Sequence, residues 1–75
     1  STELSKTSDS FRFAAAVAQF GMLLGHSKHA GSASMGAVIA QAQGALGDDL
    51  KGYRKGFVNL VQRAQKLVLK TSMAD

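Results

Sequence analysis

The sequence of 75 residues contains no cysteine and no proline. Without cysteine, neither a disulfide framework nor a thiolate zinc site can form. The composition is 45% hydrophobic and 19% charged, which is typical of a folded chain and not of a disordered one. Because a chain of this length buries only about 60% of its unfolded surface, we expect one small domain.

Long apolar runs are also missing. None approaches the roughly 20 residues that cross a bilayer, and the N-terminal STELSKTSDS lacks the basic and apolar regions of a signal peptide. The chain does not begin with Met, so we expect it to be a piece of a longer protein.

Catalytic motifs are equally scarce. The nucleophile-elbow, Walker and dinucleotide-binding patterns do not occur. Asp48 and Asp49 are adjacent at a predicted helix start, where acids act as caps. His26 and His29 have no Asp, Glu or Cys close to them in the sequence to complete a metal site. We therefore predict no enzyme, no cofactor and no metal site.

The sequence is richest in apolar residues between Phe11 and Leu24, in the stretch FRFAAAVAQFGMLL. At about 100° per residue this stretch forms a helix with two apolar stripes. One stripe comprises Phe13, Val17, Phe20 and Leu24. The other lies nearly opposite and comprises Phe11, Ala15, Ala18 and Met22. A helix that is apolar on both sides needs cover on both, which predicts that it is the central helix of the domain.

Periodicity predicts three helices, near residues 9–25, 33–46 and 49–70, and thus an all-α, small three-helix bundle. Residues 1–8 are interpreted as a linker or disordered arm, 9–70 as the helical domain and 71–75 as a loose tail. The expected N-caps are Ser8 or Asp9, Ser32 or Ser34, and Asp48 or Asp49, and Gly47 is expected to follow the second helix. The predicted core comprises Phe13, Val17, Phe20, Leu24, Val38, Ile39, Leu46, Tyr53, Phe57, Leu60, Val61 and Ala64.

Basic residues outnumber acidic ones by nine to five, and six of the nine lie in the last third of the chain. One polar face of the predicted third helix carries Lys51, Lys55, Arg63, Lys66 and Lys70. Such a face is most often simply solvated, but it leaves open an anion-binding module for nucleic acid or an acidic membrane surface. Because Tyr53 and Phe57 are predicted to point inward, no stacking platform accompanies the basic face, and we expect neither partner.

Glycines form two G-x-x-x-G spacings, Gly21 with Gly25 and Gly52 with Gly56. In membranes this spacing brings helices close together. In an amphipathic helix outside a membrane it indicates local close packing or chance.

Three segments together resemble the C-terminal domain of uncharacterised bacterial proteins that contain a von Willebrand factor A domain. They are FRFAAAVAQFGMLL, ALGDD at 45–49 and GYR at 52–54 followed by Phe57. The resemblance covers roughly residues 9–66, and it departs from the family pattern at Gly25 and Gly56, where a basic and an acidic residue are usual. It implies a parent protein in the bacterial cell envelope or periplasm. The D-x-S-x-S metal motif of the A domain is absent from the chain, so metal binding is not implied.

These observations favour a non-enzymatic accessory domain that docks on its parent A domain or on another protein. If the second and third helices cover only the Phe13–Leu24 side of the first, the opposite stripe of Phe11, Ala15, Ala18 and Met22 is left as the docking surface. The alternative is that those two helices straddle the first and cover both stripes. The sequence leaves the oligomeric state open.

Overall fold

The computed structural model describes residues 2–25 and 31–74, and His26 and His29 lie outside that range. It contains α1 (Thr2–Gly25), α2 (Ser32–Gln43) and α3 (Tyr53–Ala74). No strand occurs within the described residues. The predicted all-α three-helix bundle is confirmed.

The first helix ends at Gly25 as predicted but begins seven residues earlier than predicted, and both ends of the second helix differ from the predicted ones. No Gly or Pro stands between Thr2 and Ser8 to stop a helix, and α1 therefore begins at Thr2, with Ser8 and Asp9 inside it. Gly31 is the N-cap of α2 and no side chain caps it, so the caps predicted at Ser32 or Ser34 are not formed. The C-cap of α2 is Gly44, three positions before Gly47.

The loop between α2 and α3 is longer than predicted because its backbone repeatedly leaves the right-handed helical region. Gly47, Asp49 and Gly52 have φ angles of 57°, 43° and 73°. The third helix therefore begins at Tyr53 and not near residue 49. Asp49 still serves as a cap, since its two carboxylate oxygens accept the N–H groups of Arg54 and Lys55, each at 2.9 Å.

The central helix is α2 and not α1. Short α2 packs closely against both α1 and α3, whereas the backbones of α1 and α3 approach each other much less. The two long helices meet through aromatic rings: Phe57 makes edge contacts with Phe13 and Phe20 at centroid distances of 5.4 and 5.6 Å. The sequence of α2, SASMGAVIAQAQ, is rich in Ala, Ser and Gly, and small side chains let a helix approach two neighbours at once.

The core follows from this arrangement. Of the predicted core residues, Phe20, Val38, Ile39 and Val61 are buried, and Phe13, Leu46, Phe57 and Ala64 are partly buried against them. Four predicted core residues are instead exposed: Val17, Leu24, Tyr53 and Leu60. Ala16 and Val58 are buried in their place because α2 packs beside them. Ala45 in the loop is also buried and was not predicted.

The molecule is elongated, with extents of 49 × 20 × 15 Å. A helix of 12 residues is about 18 Å long, whereas α1 and α3 are each roughly twice that length. The two long helices therefore extend beyond the helix that holds them together. Among the described residues, no helix is both long and apolar enough to span a bilayer.

Candidate docking surface

The predicted docking residues lie on the side of α1 that faces away from the other helices, called here the outer face (Phe11, Ala15, Ala18 and Met22). Phe11 is 74% exposed and Met22 is 65% exposed. Ala18 is exposed and Ala15 is half-buried. Phe11 and Met22 are about 16 Å apart along the helix, so two large apolar side chains flank a shallow surface of alanines.

Charged residues are absent from α1 between Phe13 and Gly25. The charged residue closest to this stretch, Arg12, turns toward the end of α2: its Nη2 donates to the Gly44 carbonyl at 2.7 Å and to Asp9 Oδ1 at 2.9 Å. Gln41 of α2 donates in return to the Arg12 carbonyl at 3.0 Å. An exposed helix surface of nearly four turns is thus left without charge, which is unusual unless the surface binds something.

The residues of the predicted anion-binding face are all exposed: Lys51, Lys55, Arg63, Lys66 and Lys70. The four on α3 lie within an arc of about 80° around the helix axis, and Lys51 lies in the preceding loop. The sequence of α3 contains no Asp or Glu. The structure therefore brings four cations together on one side of a helix.

A second polar cluster centres on Arg54 and joins the start of α3, the loop that precedes it and α1 at one end of the molecule. Arg54 Nη1 donates to the Ala45 carbonyl at 2.9 Å, and Arg54 Nη2 donates to Ser10 Oγ at 3.1 Å. The guanidinium also lies over the Phe13 ring, 5.2 Å from its centroid. These contacts give the ALGDD and GYR segments a structural role, because they fix the loop and the start of α3 against α1.

The same end of the molecule has a shallow depression of about 430 Å³ beside Asp9, Asp49 and Arg54. The hydrogen bonds that the backbone N–H groups of Arg54 and Lys55 donate to Asp49 lower the pKa of its carboxyl group below its usual range. This carboxylate is therefore ionised at neutral pH. Among the side chains that the structure describes, in residues 8–25 and 31–71, no three His, Asp or Glu come together as metal ligands would. The depression is lined by the side chains that anchor the loop.

Sequence reasoning missed a second exposed apolar surface because it placed Val17, Leu24 and Leu60 in the core. Leu67, which shares the face assigned to Leu60, is also exposed. The seven-residue spacing of Tyr53, Leu60 and Leu67 indicates a stripe that packs against another helix. The spacing does not tell whether that helix is α2 or a helix outside the chain.

Comparison with known proteins places the chain in a family without assigning it an activity. No curated protein and no solved structure gives a significant match. A family model described as "Uncharacterized protein YfbK, C-terminal" matches residues 1–67. Since the match covers most of the chain, including α1, α2 and most of α3, this protein belongs to the YfbK C-terminal domain family.

Proposed function

We propose that this chain is a non-enzymatic accessory domain that docks, through the outer face of α1, on the von Willebrand factor A domain of its own bacterial parent protein. The A domain and the cell-envelope location come from the sequence resemblance. The observation that carries the proposal is the exposure of Phe11 and Met22 on a helix surface without charge. Burying such a surface against another protein removes apolar area from water.

Helix geometry supports the same conclusion. Phe11, Ala15, Ala18 and Met22 follow one another at spacings of three or four residues, which keeps them on one side of α1. Small residues between two large ones let a partner approach the helix backbone closely. Aromatic and Met side chains are also common at the centre of protein interfaces.

The test replaces Phe11 and Met22 together by Gln and titrates the chain with the purified A domain of the parent protein by calorimetry. We expect the variant to bind at least about tenfold more weakly, because two apolar anchors are lost. Its free energy of unfolding should change by no more than about 0.5 kcal/mol per site, as is usual for surface positions.

Leu50→Gln is the matched control, because Leu50 is 95% exposed in the loop before α3 and is not part of the outer face. This variant should bind the A domain as the unchanged chain does. Unfolding of the Phe11→Gln/Met22→Gln variant would instead place the stripe in the core. Equal binding by all three proteins would remove the outer face as the docking surface.

An anion-binding module is the second candidate, and the four clustered cations of α3 favour it. Binding of this kind weakens steeply with ionic strength. A salt titration with duplex DNA and with anionic vesicles separates the candidates: no binding at low salt removes the alternative. Binding that Lys66→Gln and Lys70→Gln reduce, and that Met22→Gln leaves unchanged, would support it.

A further inference from the structure

Helical periodicity places four exposed apolar residues that the core does not use on the adjoining flanks of α1 and α3, on the side away from α2. Phe57 faces α1, and Leu60 and Leu67 lie about 60–80° further round α3. In the other direction round α3, Gln65 points to α2, where its Nε2 donates to the Ser32 carbonyl at 2.9 Å. Leu60 and Leu67 are therefore on the flank of α3 that borders α1 and is remote from α2.

The matching flank of α1 follows from the same reasoning. Arg12 and buried Ala16 face α2, and Phe13 and Phe20 face α3. Val17 and Leu24 lie about 20–60° beyond the phenylalanines, on the side opposite α2. We call the surface of Val17, Leu24, Leu60 and Leu67 the α1/α3 groove; the three leucines are 55–64% exposed.

The groove has the spacing of a helix-packing site. Val17 and Leu24 are seven residues apart, as are Leu60 and Leu67, and Tyr53 extends the second series by one more heptad.

The two helices that carry these series run in the same direction. Arg54 lies beside Ser10, and Phe57 lies further along, between Phe13 and Phe20. The two series therefore form neighbouring rows. Side chains of a third helix fit between such rows as knobs into holes. A Cβ built at Gly21 or at Gly56 meets nothing within 4 Å, so both glycines lie open to an approaching helix.

The charged residues beside the groove are basic and lie on its α3 side. Arg63 and Lys70 are exposed and also seven residues apart, and helical periodicity places them on the outer rim beside Leu60 and Leu67. The α1 rim carries no charge between Phe13 and Gly25. A helix that matches this groove needs an apolar stripe, acidic residues seven apart on the flank facing α3, and neutral residues on the flank facing α1.

We propose that the α1/α3 groove binds an acidic amphipathic helix of a partner protein, which completes a four-helix bundle. The α3 helix of a second copy does not match the groove: it has five basic residues and no acidic one, so two α3 helices paired there would oppose like charges. Leu60 and Leu67 are about 10 Å apart along α3, and with Tyr53 the apolar row on this helix is about 21 Å long, which corresponds to about four helical turns. The groove does not share residues with the outer face. The experiment on the outer face and the experiment on the groove therefore test the two proposals independently.

The test uses the full chain and two labelled peptides of about 21 residues, each three heptads with Leu at positions a and d. One peptide has Glu at e and g, so that an acidic flank faces α3 in either orientation of the peptide, and the other has Lys there. Binding is followed by fluorescence anisotropy at low and high salt. The Glu peptide should bind at least about tenfold more tightly than the Lys peptide, and added salt should reduce the difference because it screens the rim charges.

Three variants locate the binding. Leu60→Gln should weaken binding of the Glu peptide at least about tenfold, as loss of a central apolar anchor does, and Met22→Gln on the outer face should leave it unchanged. Replacing both Arg63 and Lys70 by Glu should reverse the preference between the peptides. This reversal keeps the test decisive even if Leu60→Gln alters the fold, which circular dichroism would reveal.

Several outcomes would overturn the proposal. These are no binding of the Glu peptide, equal binding of both peptides, equal losses from Leu60→Gln and Met22→Gln, and a preference that the charge reversal does not change. Sedimentation of the chain alone provides a further check: a dimer that Leu60→Gln dissociates would show that a second copy occupies the groove.

Discussion

At the scale of single residues, Gly52 illustrates how the backbone sets the start of α3. Its φ is +73°, and a Cβ at this position would meet no atom within 4 Å. Any cost of adding a side chain is therefore conformational and not steric crowding from neighbours. Gly56, four residues later, is equally open but lies inside α3.

This pair of glycines gives a matched prediction. Gly52→Ala should lower the free energy of unfolding by about 1–2 kcal/mol, because a left-handed conformation is unfavourable for alanine. Gly56→Ala should raise it by up to about 1 kcal/mol, because alanine is the better helix former. For a domain of this size each kcal/mol shifts the melting temperature by about 4–8 °C, which thermal circular dichroism resolves. If both substitutions shifted the melting temperature in the same direction, backbone conformation would not determine the effect of alanine at these two positions.

At the scale of helices, periodicity was sufficient to predict three helices and much of their inner faces. Phe20, Val38, Ile39 and Val61 are buried as expected. Periodicity failed at the start of α1 and at both sides of the loop between α2 and α3, where the uninterrupted N-terminus of α1 and the positive φ angles of the loop decide the boundaries. These depend on local backbone conformation, which apolar spacing does not encode.

The choice of central helix was wrong for a related reason. The apolar richness of α1 suggested that it needed cover on both sides, whereas short α2 occupies the centre because its small residues admit two neighbours. Apolar residues left over on α1 and α3 are then exposed. The outer-face residues were identifiable from the sequence, but the α1/α3 groove required knowing which side of each helix α2 covers.

At the scale of the whole molecule, a helix of 12 residues holds together two helices of 24 and 22 residues. A domain of this size has only about 5 kcal/mol of stability, so few contacts can be lost. Phe57 is the side chain through which α3 meets both Phe13 and Phe20 of α1. Stability of the bundle should thus depend strongly on this one residue.

Phe57→Ala should cost about 3–5 kcal/mol through lost burial and the cavity left behind, and so leave the chain close to unfolding at room temperature. Leu60→Ala is the matched control on the same helix, because Leu60 was expected in the core but is 55% exposed. It should cost no more than about 1 kcal/mol, since a surface position loses little packing. Thermal and urea unfolding of the two variants, followed by circular dichroism, measures both costs.

An unchanged melting curve for Phe57→Ala would show that Phe57 is not part of the core. A cost for Leu60→Ala as large as that for Phe57→Ala would show that the α1/α3 groove is closed in solution, with Leu60 buried inside it.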